Sequence, residues 1–208
     1  MIWKDDQVVS VEALFTDSLT FETERLFLRR LRVADAEDYF QFASNPIVTA
    51  RTTWDRHHCI EDSVSYLEKV ENRYKQREEF HWGIVHKANN KLIGRTGLIR
   101  IDPAHEKAEL AYVLSNDYWS QGIVTEATYS IVAYCFLELG LNRIEARCNH
   151  DNPGSYKVME KLGLTFEGLL RKQLKIKGEF VDQLMYAALR EDWIRDRKNI
   201  ESDVNDVL

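Results

Sequence analysis

The feature that most constrains this chain is the run from Glu109 to Gly163, where ELAYVLSNDYWSQGIVTEA leads into an apolar helix, a strand, and then NHDNPGSYKVMEKLG. An apolar strand, Leu110 to Leu114, feeds a turn around Gly122 that opens directly onto a helix starting near Thr125. Backbone N–H groups in the first turn of a helix have no intrahelical acceptor, so such a turn gathers donors at the positive end of the helix dipole. That is an anion site. A second strand, Arg143 to Cys148, meets a second helix start at Asn152 and brings another polar side chain to the same edge of the sheet. The arrangement suits a nucleotide carrying a pyrophosphate.

The rest of the chain supplies a frame for that run. Ala36, Tyr39, Phe40 and Ala43 recur at helical spacing within Ala34 to Ser44, and Val64, Leu67, Val70 and Tyr74 do so within Ile60 to Gln76. Between these helices NPIVTARTTWDRHHC forms a loop long enough to line a substrate site. Phe80 to His86 and Lys91 to Ile101, joined by Ala88-Asn89-Asn90, precede the strand Glu109 to Leu114 and predict an antiparallel meander. From Thr125 to Leu139 one face carries Thr128, Ile131, Val132, Cys135, Phe136 and Leu139, and Gly140 stands where a C-terminal cap is wanted. Asn152 suits an N-cap, Pro153 the first helical position, and Gly163 the end of that helix. Leu169 to Ile176 and Phe180 to Leu189 predict a hairpin about Lys177-Gly178.

Three segments follow: an extension over 1–20 expected as a frayed arm, one domain over 21–195, and an acidic tail over 196–208. With 208 residues and 44% hydrophobic content the chain can bury a sizeable core. A net charge of −6, from 28 basic and 34 acidic residues, argues against a direct nucleic-acid partner and mildly favours cationic substrates. The apolar stretch Ile131 to Leu141 is broken by Tyr134, Glu138 and Gly140, and no N-terminal segment combines a basic start with an apolar run, so the sequence predicts neither a membrane span nor a signal peptide. Cys59, Cys135 and Cys148 form no CxxC and are odd in number, which fits a reduced, cytoplasmic setting.

Four motifs in order carry a resemblance: TERLFLRRLRVADAEDYF (Thr23 to Phe40), W-x-x-G-x-x-T-E-A (Trp119 to Ala127), L-x-R-I-E-A-R (Leu141 to Arg147) and N-x-x-S-x-x-V-x-E-K-L-G (Asn152 to Gly163). Together they make the chain similar to the GNAT N-acetyltransferase superfamily, in the branch that acetylates the N-termini of ribosomal proteins. The resemblance implies a single α/β GNAT domain: a mixed, mostly antiparallel sheet with a splayed central parallel strand pair and flanking helices. It implies acetyl-CoA as co-substrate, no metal, and direct acetyl transfer to a primary amine, with room for a homodimer. The acceptor it points to is a protein N-terminus. A small amine such as a polyamine or aminoglycoside is the alternative, as is a CoA-binding module without turnover.

Under that resemblance the pyrophosphate falls on the turn Ser120, Gln121, Gly122, Ile123, Val124 and Thr125, and the pantetheine arm runs along Tyr112, Val113 and Leu114. The turn departs from the superfamily's Q/R-x-x-G-x-G/A pattern: Trp119 stands first, Val124 last, and Ser120 replaces the branch's usual glycine. The side chains of Tyr112 and Leu114 are expected as core packing. Glu109, at the start of the cofactor strand, is the candidate general base; its competing reading is a surface glutamate paired with a neighbour such as Lys107. Many relatives use a tyrosine as the acid, but the matching position is Met159, which has no proton to give. Asn152 and Ser155 are implied beside the thiol, Ser155 as hydrogen-bond donor, and Tyr156 is a weaker candidate because helical geometry turns it away from Ser155.

Other constellations read more plainly. His57-His58-Cys59 is expected as a solvated loop, because adjacent residues rarely converge on one ion. Cys148 has no histidine partner in sight and reads as a small core residue. Arg29, Arg30 and Arg32 alternate with Leu28 and Leu31 as a half-buried strand's solvated face would.

Overall fold

A computed structural model describes residues 11–15 and 19–205, with side chains through 197. Eight strands form one sheet in the order β1-β2-β3-β4-β5-β6-β8-β7. β1 (Phe21–Glu22), β2 (Leu26–Arg30), β3 (Phe80–His86), β4 (Lys91–Asp102) and β5 (Lys107–Leu114) pair antiparallel in sequence order. β6 (Arg143–Asn149) lies parallel to β5, and the hairpin β7 (Thr165–Ile176) and β8 (Glu179–Leu189) closes the other edge through β8. The sheet is therefore mixed and mostly antiparallel, with one central parallel pair, as the resemblance implies.

That parallel pair does not stay together. Pairing runs from Lys107 with Arg143 to Leu110 with Ala146 and then stops, although β5 continues to Leu114 and β6 to Asn149. Beyond Leu110 the inner edge of β5 is released, and a sheet edge whose donors and acceptors are unpaired will pair with an added extended chain.

Helices α1 (Ala36–Ala43), α2 (Pro46–Thr49), α3 (Ile60–Gln76), α4 (Ile123–Leu137), α5 (Pro153–Lys161) and α6 (Arg190–Asn205) cover the sheet. Strand alternation assigns them to two layers. Arg95 of β4 meets Tyr39 of α1 and Tyr66 of α3, whereas the next residue, Thr96, meets Thr128 of α4. Trp193 of α6 stacks on Phe136 of α4 and donates to the carbonyl of Leu162 just after α5, placing α4, α5 and α6 in one layer. Among the described residues no helix is long and apolar enough to cross a membrane, and no group of three His, Cys, Asp or Glu side chains is placed to hold a metal.

Several sequence expectations change in detail. α4 opens at Ile123, two residues before the expected Thr125, because Gly122 in the left-handed region (φ 74) is its N-cap. The arm expected to fray is anchored where it is described: Leu14 is fully buried and Phe15 packs edge-on against Phe80, 5.9 Å between ring centres. Burying one leucine contributes about 1.5–3 kcal/mol, enough to hold a short segment down. The remainder of that arm, 1–10 and 16–18, lies outside the described residues. The expected acidic tail supplies residues up to Asn205 to α6, and 206–208 lie outside the description.

The arginines of β2 are not a solvated face. Arg29 holds Asp35 with two hydrogen bonds, at 2.6 and 2.9 Å, and Arg30 sits 4.3 Å over the ring of Tyr74. Nor is His57 solvated: its Nδ1 lies 2.7 Å from Ser63 Oγ and its ring stacks on Tyr39, while His58 and Cys59 stay exposed.

Candidate active site

The turn expected to hold an anion is built from backbone conformation. Ser120 and Gly122 both adopt positive φ, 60° and 74°. A non-glycine residue is strained in that conformation, so the backbone at Ser120 is one that glycine would adopt more readily. At Gly122 a Cβ would have room, its nearest neighbour being Arg25 Nη2 at 3.8 Å, so the demand there is for φ alone. The first intrahelical bond of α4 is Glu126 N–H to Gly122 carbonyl, leaving the amides of Ile123, Val124 and Thr125 as unpaired helix-start donors.

Glu126 puts a carboxylate in the same first turn, where it would oppose an anionic ligand. Arg25 neutralises it: Arg25 Nε donates to Glu126 Oε2 at 2.7 Å, its amide to Oε1 at 3.2 Å, and its Nη2 to the carbonyl of Gln121 at 3.1 Å. Thr23 Oγ1 adds a 2.5 Å bond to Glu126 Oε1. The start of β2 is thus pinned to the turn. On the other side Trp119 Nε1 donates to the carbonyl of Leu114 at 2.9 Å, fastening the turn to the end of β5.

Between this turn and the end of β5 lies a cleft of about 620 Å³. Tyr112, Val113, Leu114, Ser120, Gly122, Ile123, Val124, Thr125, Asn152 and Ser155 all line it. Gln121 does not; its side chain turns back to the carbonyl of Asp117. Asn152 caps α5, its Oδ1 accepting from Ser155 N–H at 3.3 Å. Ile47, Val48 and Arg51 of the long α1–α3 connection form another wall, and Lys157 and Lys161, one turn apart on α5, add positive charge. The spacing of those lysines was readable in sequence. No local signal marked Arg25, whose partner lies 101 residues away.

The position matching the family's acid and one expected site residue stand as follows. Met159 is 1% exposed and packs in the core. Tyr112, expected as core through its side chain, presents its hydroxyl 2.9 Å from Ser155 Oγ and 3.0 Å from the Ser155 carbonyl. Burial holds its pKa well above the ordinary phenol value, opposed by the hydrogen bond with Ser155. Burial also pushes the Cys148 thiol up to about 11, opposed by its hydrogen bond with Ser155, which disfavours the thiolate near neutrality.

Glu109 is outside the cleft lining and on the opposite face of β5 from Tyr112, three residues away. It is not a surface glutamate: its side chain is 8% exposed. Arg100 Nη1 lies 2.5 Å and Arg147 Nη2 3.6 Å from Oε2, and Lys107 turns instead to Glu145 at 3.8 Å. Among the described residues both ion-pair partners of Glu109 engage Oε2 and none engages Oε1. Glu145, its register partner on β6, joins through the same Arg147 at 3.6 Å. On this face, farther from the splay, His81 is buried and its pKa is lowered to about 4 by desolvation and then by Arg95, so the imidazole is neutral and accepts from Arg95 through Nδ1 at 3.1 Å.

Comparison with known proteins agrees with this geometry. The acetyltransferase (GNAT) domain family matches residues 25–165. The N-acetyltransferase p20 of Bacillus licheniformis is 30% identical over 84% of this chain and 98% of its own. The ribosomal-protein-serine acetyltransferase of Escherichia coli is 29% identical over 48% of this chain and 56% of its own. The crystal structure of the ribosomal-protein-S5-alanine acetyltransferase from Vibrio fischeri superposes with a TM-score of 0.70 at 25% identity, over 85% of this chain and 99% of that one. A splayed parallel pair beside a helix-start turn, the family match across both, and relatives aligned over nearly their whole length lead to one conclusion: this chain belongs to the GNAT acetyltransferase family and is an N-acyltransferase.

Proposed function

We propose that the chain transfers acetyl from acetyl-CoA to the N-terminal α-amine of a protein, with a ribosomal protein as the leading acceptor, in the cytoplasm. The observation that carries the donor assignment is the released edge of β5 beyond Leu110, which opens into a cleft ending at the amides of Ile123, Val124 and Thr125. An extended amide-bearing arm pairs with such an edge, a diphosphate takes helix-start donors, and Arg51, Lys157 and Lys161 suit further phosphate charge. When bound, acetyl-CoA supplies an acetyl thioester as the electrophile.

The chain's own residues then divide the work. Backbone donors of the splayed Tyr112–Leu114 segment face developing negative charge on the acetyl oxygen. Ser155 offers a hydroxyl hydrogen to the sulfur. Glu109 accepts the amine proton through Oε1, directly or across one water, while Arg100 and Arg147 hold the carboxylate in place through Oε2.

The acceptor assignment is supported by the names of the Escherichia coli and Vibrio fischeri relatives and by proton energetics. An α-amine with pKa near 7.7–8.0 costs about 1 kcal/mol to deprotonate at neutral pH, against about 4–5 kcal/mol for a lysine near 10.4. A single, ion-paired carboxylate suffices for the former. The three free cysteines suit the cytoplasmic setting. The test is acceptor-dependent release of CoA across peptides with ribosomal-protein N-termini, their N-terminally blocked versions, spermidine and an aminoglycoside. Turnover on the free peptides and none on the blocked ones is expected; turnover on a small amine alone would replace the acceptor.

A further inference from the structure

The hydroxyl of Tyr112 reaches from β5 across the splay to α5, and it meets Ser155 twice, at Oγ (2.9 Å) and at the carbonyl oxygen (3.0 Å). Three oxygens share the phenol and serine hydrogens, and the Cys148 thiol, which also hydrogen-bonds the Ser155 side chain, brings a third. If the phenol gives its hydrogen to the carbonyl, the serine must give its own to the phenol oxygen, and no donor points into the cleft. If the phenol donates to Ser155 Oγ, the serine hydrogen is released from the phenol and can point into the cleft, provided the Cys148 thiol donates to Ser155 rather than accepting from it. The carbonyl does not depend on the phenol, because it lies in the first turn of α5, where the amide four residues on serves it.

Both residues line the cleft, and the sulfur end of a ligand running down the released edge of β5 would meet them. A bound sulfur that needs a donor makes the second arrangement the better one. We propose that Tyr112 is a positioning residue: its phenol donates to Ser155 Oγ and thereby turns the serine's own hydrogen into the cleft toward the sulfur of the bound donor. Tyr112 keeps its proton throughout, as expected of a buried phenol with no base beside it. The inference rests on the reading of Ser155 as a hydrogen-bond donor and deepens it by naming what aims the donor.

The test uses the full chain as wild type, Tyr112→Phe, Ser155→Ala and the double variant. Calorimetry compares CoA with desulfo-CoA, which lacks only the sulfur group, and steady-state kinetics compares kcat with KM for acetyl-CoA. Wild type should prefer CoA by several-fold, the worth of one hydrogen bond. Each single variant should lose that preference and about tenfold in kcat with KM unchanged, and the double variant should fall no further than either single one. Tyr112→Phe keeps the ring, and a melting temperature close to wild type confirms the fold. If Ser155→Ala loses the preference while Tyr112→Phe keeps both preference and kcat, the serine acts unaided and the positioning role is wrong. If Ser155→Ala itself keeps both, the donor reading of Ser155 falls and this inference with it.

Discussion

The two faces of strand β5 differ in kind. On the face of α4 and α5, Tyr112 and Ser155 form a neutral, hydrogen-bonded pair inside a cleft whose charged side chains, Arg51, Lys157 and Lys161, are all basic. On the opposite face, Glu109 and Glu145 share Arg147 on a charged floor that also holds Arg100 and Arg143. Three residues separate Tyr112 from Glu109, and an odd number of steps along a strand changes face. At the splay the sheet parts between the two faces, since β5 and β6 pair only from Lys107 to Leu110. Under the roles proposed above, Glu109 as proton acceptor on one side and Ser155 as donor on the other would serve one reacting group between them without neutralising each other.

The largest effect is expected where the cleft depends on backbone shape. Gly122→Pro forces φ from 74° to about −65°, which the turn cannot accommodate, so acetyl-CoA binding measured by calorimetry should be abolished while circular dichroism shows a folded domain. Unchanged affinity would remove the turn from the site.

Glu109→Gln attacks the other face. It should lower the rate at neutral pH by roughly 10² and leave acetyl-CoA affinity unchanged, because the residue lies outside the cleft. The deficit should shrink toward pH 9, as an α-amine with pKa near 7.7–8.0 sheds its proton unaided. Superimposable profiles from pH 6 to 9 with one peptide acceptor would leave Glu109 a structural residue.

Arg25→Ala sharpens the cleft side. Without the Arg25 side chain the Glu126 carboxylate loses its counter-charge in the first turn of α4, so acetyl-CoA affinity should fall by up to about tenfold, more at low salt than at high. Its stability cost should stay within about 1 kcal/mol, since the Arg25 side chain is 40% exposed. The smallest effect is expected from Asn152→Ala, which removes the α5 cap and should cost about 1 kcal/mol in denaturant unfolding with little change in the acceptor's KM.

The cofactor side of this comparison was legible in the sequence far better than the acceptor side. Strand, glycine turn and helix start are contiguous, and an anion site built from backbone amides depends on that local order more than on side chains. The α3 helix, the β3–β4 strands and the Asn152 cap likewise follow from periodicity and capping chemistry. What the sequence did not carry are contacts made across the sheet. Arg25 reaches Glu126 over 101 positions, and Tyr112 reaches Ser155 over 43, so neither pairing has a local pattern. His57 and the β2 arginines looked solvated for the same reason: their partners Tyr39, Asp35 and Tyr74 are supplied by packing of α1 and α3 on the sheet. The burial of Glu109 beside Arg100 and Arg147 depends on three adjacent strands and was equally hidden.

The central claim is that the reacting group is held in the splay, between a base on one face and a donor on the other. A crystal structure with acetyl-CoA tests it most directly. In that complex the diphosphate is expected on the amides of Ile123 to Thr125, the acetyl carbon between Ala111 and Ala146, the sulfur within hydrogen-bond reach of Ser155 Oγ, and Glu109 Oε1 facing the acetyl group from the opposite side. An acetyl group lying wholly on one face of β5, with Glu109 or Ser155 shut off from it, would contradict the account.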